Sequence, residues 1–478
     1  MDPRVALVAG VLLVTAGCVA PTGSGGEVVK APCPVPSAGA TGGPPDPDGD
    51  VLGWEDGAWA NQSIEADPED GLACAELERV LARAQARVEI IRRLEFRDDL
   101  EVRVVTRDTF RRRVADRGVS QSRRRFVNAK YEALFMINES TDAIGVTRGN
   151  AAASIGAFYR PGRDEIVLIV RDPSAPQLRT PILGHELVHA LQDRRLPSPR
   201  ESLPAATEGG IVGLIEGDAN LVEALYEHRC RGGAWNGTCF LPSRDDGGGG
   251  GTLANIGPFL LTIHPYSDGP AFVDRIRERG GWAAVDDLYA MPPASGEHLI
   301  HPERYPDDGP TAVLVTDRSD GRWTPVTSNG RPRSETLGEQ GVYSMFLYPS
   351  FATDGRVELV NRSAFVRFGG LVDPYNYSHP YSTGWDGDRF VAYATDEGNL
   401  GYVWKSEWDS PAEAREFLAG YRRLLRSHGA RRVEPGIWRI PEGKEFGDAF
   451  SVVRRGETVV IVNAPTVEAL PGVWRGAQ

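Results

Sequence analysis

The chain has 478 residues, 41 % of them hydrophobic, and a formal net charge of −13. That length exceeds what one hydrophobic core usually supports, so two folded domains are expected. The acidic balance argues against a nucleic-acid partner and against a polybasic membrane patch. Basic residues are nearly all Arg, with Lys only at 30, 130, 405 and 444.

In chain order, Met1-Asp2-Pro3-Arg4 followed by the apolar run Val5 to Ala16 suits an export signal better than a membrane span. It ends in Thr15-Ala16-Gly17-Cys18, similar to the lipobox of prokaryotic lipoproteins, so Cys18 is the expected lipidation site and membrane anchor. Residues 21 to 60 are rich in Gly, Pro, Ser and Asp and read as a disordered tether. Leu72, Leu77, Val80, Leu81, Ala84, Val88, Ile91 and Leu94 recur at helical spacing, predicting an amphipathic helix whose arginines face water. The arginine runs 111 to 113 and 123 to 125 read as solvated faces.

Val102 to Thr106 alternates as a strand. Ile155 to Val170 predicts two apolar strands around the Pro161-Gly162 turn. An open edge of such a hairpin beside an active site could pair with an extended peptide.

Thr180-Pro181-Ile182-Leu183-Gly184-His185-Glu186-Leu187-Val188-His189-Ala190-Leu191-Gln192-Asp193 is the most informative stretch. Thr180 is the expected cap, Pro181 the first helical residue, and Pro197 limits the helix. His185 and His189, four apart, share one face, so two imidazoles can converge on one zinc ion. Glu186 lies beside them as general base, and Asp193 is placed to orient a ligand imidazole. His-Glu-x-x-His arises by chance in a chain of this composition on the order of one time in a hundred.

Thr207 to Glu227 predicts a second buried helix, in which Gly213, Gly217 and Ala219 allow close backbone approach. It carries two competing third ligands, Glu208 and Glu216. A mid-helix carboxylate among apolar neighbours favours Glu216, because an unpaired one would be costly there. Cys230 and Cys239 flank a supple Gly-rich loop and are the favoured disulfide among the cysteines of an exported chain. The Gly-rich stretch 246 to 251 reads as a loop. Beyond it, His301, Tyr266, His298 and Tyr305 are candidate donors to an oxyanion, His301 foremost.

From about 313 the character changes. Glu339 to Ser350 suggests a helix. Strands at Asp388 to Ala394 and Leu400 to Trp404, a helix at Pro411 to Ser427, and strands at Ala449 to Val453 and Thr458 to Asn463 form a module without a catalytic constellation. The resulting division is a signal over 1–20, the tether over 21–60, a metal-site domain over 61–312 and an α+β module over 313–478.

His185-Glu186-Leu187-Val188-His189, Leu214-Ile215-Glu216-Gly217-Asp218-Ala219 and His301-Pro302-Glu303-Arg304-Tyr305 together resemble a gluzincin-like family of secreted surface proteins from haloarchaea and some bacteria. The resemblance implies an α+β zinc-helix domain with a small antiparallel sheet. It makes His185, His189 and Glu216 ligands and Glu186 the base. One departure stands out: the best-known gluzincins place an acidic residue four positions after the ligand, where this chain has Asn220. The expected function is a cell-surface zinc metallopeptidase acting on peptide or protein substrates. The alternative is a surface or envelope binding protein that retains the fold without turnover.

Overall fold

The computed structural model describes residues 47, 49–67, 69–115, 118–200, 207–237, 239–241, 252–367 and 370–476. Cys18, the signal and the Gly-rich loop 246 to 251 lie outside them. No described helix is long and apolar enough to cross a membrane.

Helix α1 (Cys74–Arg92) starts where the Ala73 N–H donates to the Glu76 carboxylate at 2.7 Å, and it buries Val80, Ala84, Val88 and Ile91. Its arginines correct the expectation that they face water. Arg83, Arg87 and Arg92 are fully buried, the first two because part of the supposed tether folds over them and Arg92 because it pairs with Asp218. Residues 54–59 form a two-stranded hairpin against α1. Ala60 O accepts from Arg87 Nε at 2.8 Å, Gln62 O accepts from Arg83 Nη1 at 3.0 Å, and the Gly53 N–H donates to Glu89 at 2.7 Å. The backbone of 51–62 thus supplies the partners that buried charge requires, and the folded body begins about ten residues earlier than composition suggests.

A three-stranded sheet follows, built from β1 (Glu101–Thr106), β2 (Ala157–Arg160) and β3 (Glu165–Val170). Its order is β1-β3-β2, with β3 parallel to β1 and antiparallel to β2, so the predicted hairpin is present, β2 is an edge, and the sheet is mixed where an antiparallel one was expected. β3 is buried throughout because both its faces are covered. Ile166, Leu168 and Val170 join the core around the histidine helix, while Val167 and Ile169 meet Phe110 and Val114 of the short helix Arg107–Ala115. Between β1 and β2, helix α2 (Gln121–Ala133) is capped by Ser120 Oγ, which accepts from the Arg123 N–H. The arginine runs at 111–113 and 123–125 are exposed or half-buried, as expected.

Helix α3 (Thr180–Arg195) carries the His-Glu-x-x-His motif and stops before Pro197. Thr180 is not its cap. Arg179 precedes the helix, and the Thr180 N–H and hydroxyl both donate to Phe240 O. Helix α4 (Glu208–Arg231) packs along α3, and the Cys230–Cys239 disulfide closes its end. Cys74 is likewise disulfide-bonded. Helix α5 (Asp268–Asp287) crosses α4 at glycines. A Cβ at Gly217 would lie 2.5 Å from the Gly269 backbone, so only glycine permits this approach.

The large sheet comprises β4 (Thr324–Pro325), β5 (Ser334–Glu335), β6 (Trp385–Ala394), β7 (Leu400–Trp408), β8 (Arg431–Glu434), β9 (Ile437–Arg439), β10 (Ala449–Arg455) and β11 (Thr458–Ala464). Its order is β8-β9-β10-β11-β7-β6-β4, with β5 also on β6 and every pairing antiparallel. Helices α6 (Gly338–Ala352) and α7 (Pro411–Ser427) cover one face. Alternation sorts β6: Phe390 and Ala392 point to that helix face, Val391 and Tyr393 to a smaller core with Leu470 and Val473. With helices and strands largely segregated, the chain is α+β.

All strands of the large sheet lie after residue 313, but its core does not respect that boundary. Phe126 of α2 meets Phe390 edge-on with centroids 5.7 Å apart, and Phe135 sits among Tyr421, Phe446 and Phe450.

Candidate metal centre

His185, Glu186 and His189 are all buried on α3, and Glu216 reaches them from mid-α4. Glu216 Oε2 lies 3.3 Å from His185 Nε2 and 3.6 Å from His189 Nε2. The three donor atoms fall within 4.8 Å of one another, so this buried group could hold a metal ion. Glu208 is on the surface with Arg200 as its ion-pair partner at 3.6 Å, and it does not join the group.

Burial acts against a charge on His185, but the Glu216 and Glu223 carboxylates outweigh it and its pKa rises to about 10. Burial would raise the Glu216 carboxyl, yet the two imidazoles hold it well below the carboxylate range. Metal would displace the His185 proton, since ligands bind deprotonated.

Glu186 is different. No hydrogen bond of good geometry reaches either buried oxygen among the described residues. Burial pushes its pKa up, opposed by His185, His189 and the nearby Tyr159 N–H of β2.

The imidazoles are oriented by residues the sequence did not single out. His185 Nδ1 lies 3.3 Å from Glu223 Oε2, and His189 Nδ1 lies 2.8 Å from Gln192 Oε1. The Gln192 amide is fixed because its Nε2 donates to Ile215 O at 2.9 Å and to Asp218 Oδ2 at 3.3 Å. Its oxygen must therefore accept from His189 Nδ1–H, which leaves the Nε2 lone pair facing Glu216. Asp218 is anchored in turn by Arg92 Nε and the Tyr289 hydroxyl, each at 2.8 Å. Arg92 also pairs with Asp286 at 2.7 Å and lies over the Trp282 ring.

Asp193 does not take the orienting role expected of it. It is exposed and accepts from the Tyr159 hydroxyl at 3.0 Å, because position 192 faces α4 while 193 turns toward the hairpin. Asn220 donates to Tyr266 O at 2.9 Å, and the acidic role expected four residues after Glu216 falls to Glu223, seven after it and on the same helix face. Glu223 and Gln192 were thus reachable from helical spacing. Arg92 and Tyr289 were not, since only the tertiary fold brings them near.

Of the four oxyanion-donor candidates, Tyr266 is the one that stands against the group. Its ring runs parallel to that of His185, centroids 6.2 Å apart. His301 bonds Glu339 at 3.2 Å and lies 3.7 Å from Glu303. Both His298 nitrogens are occupied, by the Ala294 N–H and Asp308 O, and the Tyr305 hydroxyl donates to Met291 O.

A family model described as "Domain of unknown function (DUF8575)" matches residues 324–474, the large sheet and its helices, and leaves α3 and α4 outside. No curated protein matches the chain. No solved structure does either.

Proposed function

We propose that the chain is a zinc-dependent peptidase of the gluzincin kind, with His185, His189 and Glu216 as ligands and Glu186 as general base. The observation that carries this reading is the convergence of two Nε2 atoms and one carboxylate beside the buried Glu186 carboxyl. Ligands about 2.0–2.1 Å from a tetrahedral zinc stand about 3.3–3.4 Å apart, and the separations here are 3.3 and 3.6 Å. Zinc at this position would supply Lewis acidity, activating water and polarising a carbonyl oxygen.

The chain's own residues would do the rest. Gln192 and Glu223 hold the imidazoles with Nε2 inward. Glu186 accepts the proton of the attacking water at a carboxylate oxygen and returns it to the leaving amine, and its raised pKa suits both directions. Tyr266 is the favoured donor to the developing oxyanion, ahead of His301. β2, an edge strand packed on α3, is available to pair with an extended peptide. All three described cysteines, Cys74, Cys230 and Cys239, are disulfide-bonded, which favours an exported location, with Cys18 as the lipid anchor.

The test is metal analysis and proteolysis with the wild-type chain and Glu186→Gln. The expected result is stoichiometric zinc in both and hydrolysis of unfolded protein by the wild type, reduced about 10²–10⁴-fold in the variant. Zinc in both with hydrolysis by neither would overturn the peptidase and leave a surface binding protein.

A further inference from the structure

α7 turns Ala414, Phe417, Leu418, Tyr421, Leu424 and Leu425 onto the large sheet, which leaves its arginines outside. Arg415 and Arg422 are seven residues apart and so lie on one line along the helix. Together with Leu418, Ala419 and Arg454 of β10 they line a concavity of about 460 Å³. Arg426 and Arg432 add to its field, since their charges act on Arg422.

What holds these side chains is uncharged. Arg426 lies over the Trp438 ring at 5.0 Å, Arg432 Nε donates to Glu434 O at 3.2 Å, and Arg454 Nη1 donates to Gly456 O at 2.5 Å. Arg422 Nε is shielded from solvent and meets no acceptor among the described residues. Elsewhere several buried or half-buried guanidiniums meet a carboxylate, Arg92 with Asp218, Arg194 with Asp164 and Arg304 with Glu297, whereas Arg83 and Arg87 are enclosed by backbone carbonyls and leave no open concavity. None of the five around the concavity forms an ion pair among the described residues. Like charges gathered in one place repel, so a bound anion would relieve the arrangement.

We propose that this concavity is an anion site for a phosphate-bearing ligand, held through its non-bridging oxygens by Arg415, Arg422 and Arg454. Guanidinium forks arriving from a helix and a strand suit a tetrahedral group with three accessible oxygens, whereas a carboxylate offers two and a single charge. The ligand is either a soluble phosphate or a lipid headgroup. The site stands apart from the metal centre and does not depend on its assignment.

The test is calorimetric titration of the whole chain at physiological ionic strength with inorganic phosphate, and co-sedimentation with phosphatidylcholine vesicles with and without one-third phosphatidylglycerol. Saturable binding is expected, weakened about tenfold or more in Arg422→Ala/Arg454→Ala. Arg422→Lys should also weaken it, because the charge stays and the fork is lost. Arg111→Ala/Arg112→Ala removes the same charge from another exposed surface and should leave binding intact. Unchanged melting temperature and zinc content would show that the variants are folded. Phosphate saturation without vesicle binding identifies a soluble ligand, and phosphatidylglycerol-dependent sedimentation that phosphate competes away identifies a headgroup. Absence of saturable binding in both arms, or equal weakening by the Arg111/Arg112 variant, would overturn the proposal.

Discussion

The region around α3 and α4 and the large sheet fill their interiors with different chemistry. The first buries charge: Arg83, Arg87, Glu89, Arg92, His185, Glu186, Glu216 and Asp218 all lie out of water. The sheet buries rings, with Trp385, Trp404, Trp408, Tyr402, Phe417 and Tyr421 at its helix-covered face. Its Asp388 is surrounded by N–H donors from Leu337, Gly338, Trp385 and Trp404. Buried charge is costly unless it is paired, so a region dense in it is shaped by something besides stability. On the proposed function, catalysis belongs to the first region, while the second serves as its scaffold and carries the proposed anion site.

The widest separation between the regions should come from Glu216→Ala. Zinc affinity is expected to fall by more than the roughly 10–100-fold that an orienting residue costs, and added zinc should no longer raise the melting temperature. Glu223→Gln and Gln192→Ala should each lower zinc affinity by about 10–100-fold while leaving one site per chain, measured by competition with a chelator. Equal affinity in these variants would mean that the imidazoles are held by packing alone.

Asp388→Asn tests the other side. An amide cannot accept all four donors, so the fold should lose about 2–3 kcal/mol in denaturant titration with zinc content unchanged. A fall in zinc content would erase the division between chemistry and scaffold.

The smallest effect belongs to His428, stacked on Phe135, whose pKa burial pushes down to about 4. In the unfolded chain it titrates near about 6.5. Between those values the unfolded state takes up a proton that the folded state refuses, so stability is full above about pH 6.5 and falls as pH drops toward about 4. Discounted for partial exposure, the loss is about 1–2 kcal/mol. His428→Phe should flatten that part of the stability curve.

Much of this was legible where periodicity and residue type agree. The motif helix, its buried partner helix and four long strands of the sheet each repeat apolar residues at their own period, and their residue ranges closely follow the expected ones. β8 was not legible: Arg431-Arg432-Val433-Glu434 is exposed throughout and has no alternation to detect. The buried arginines of α1 escaped for a different reason. Arginine on a helix signals solvent unless partners come from elsewhere, and here Arg83 and Arg87 find carbonyls in residues 51–62, whose composition resembles a linker, while Arg92 finds carboxylates on distant helices. At the metal centre, spacing located the ligands but not their supports. Positions 192 and 193 are adjacent, and only the packing of α4 decides which of them faces the imidazole.

The aromatic seam where Phe126 and Phe135 enter the sheet's core limits how the chain can be dissected. A fragment trimmed to residues 324–474, the extent of the family match, would present a bare hydrophobic cleft where α2 had lain. Any other polypeptide that carries this module must bring its own helix to fill that groove, or associate through it.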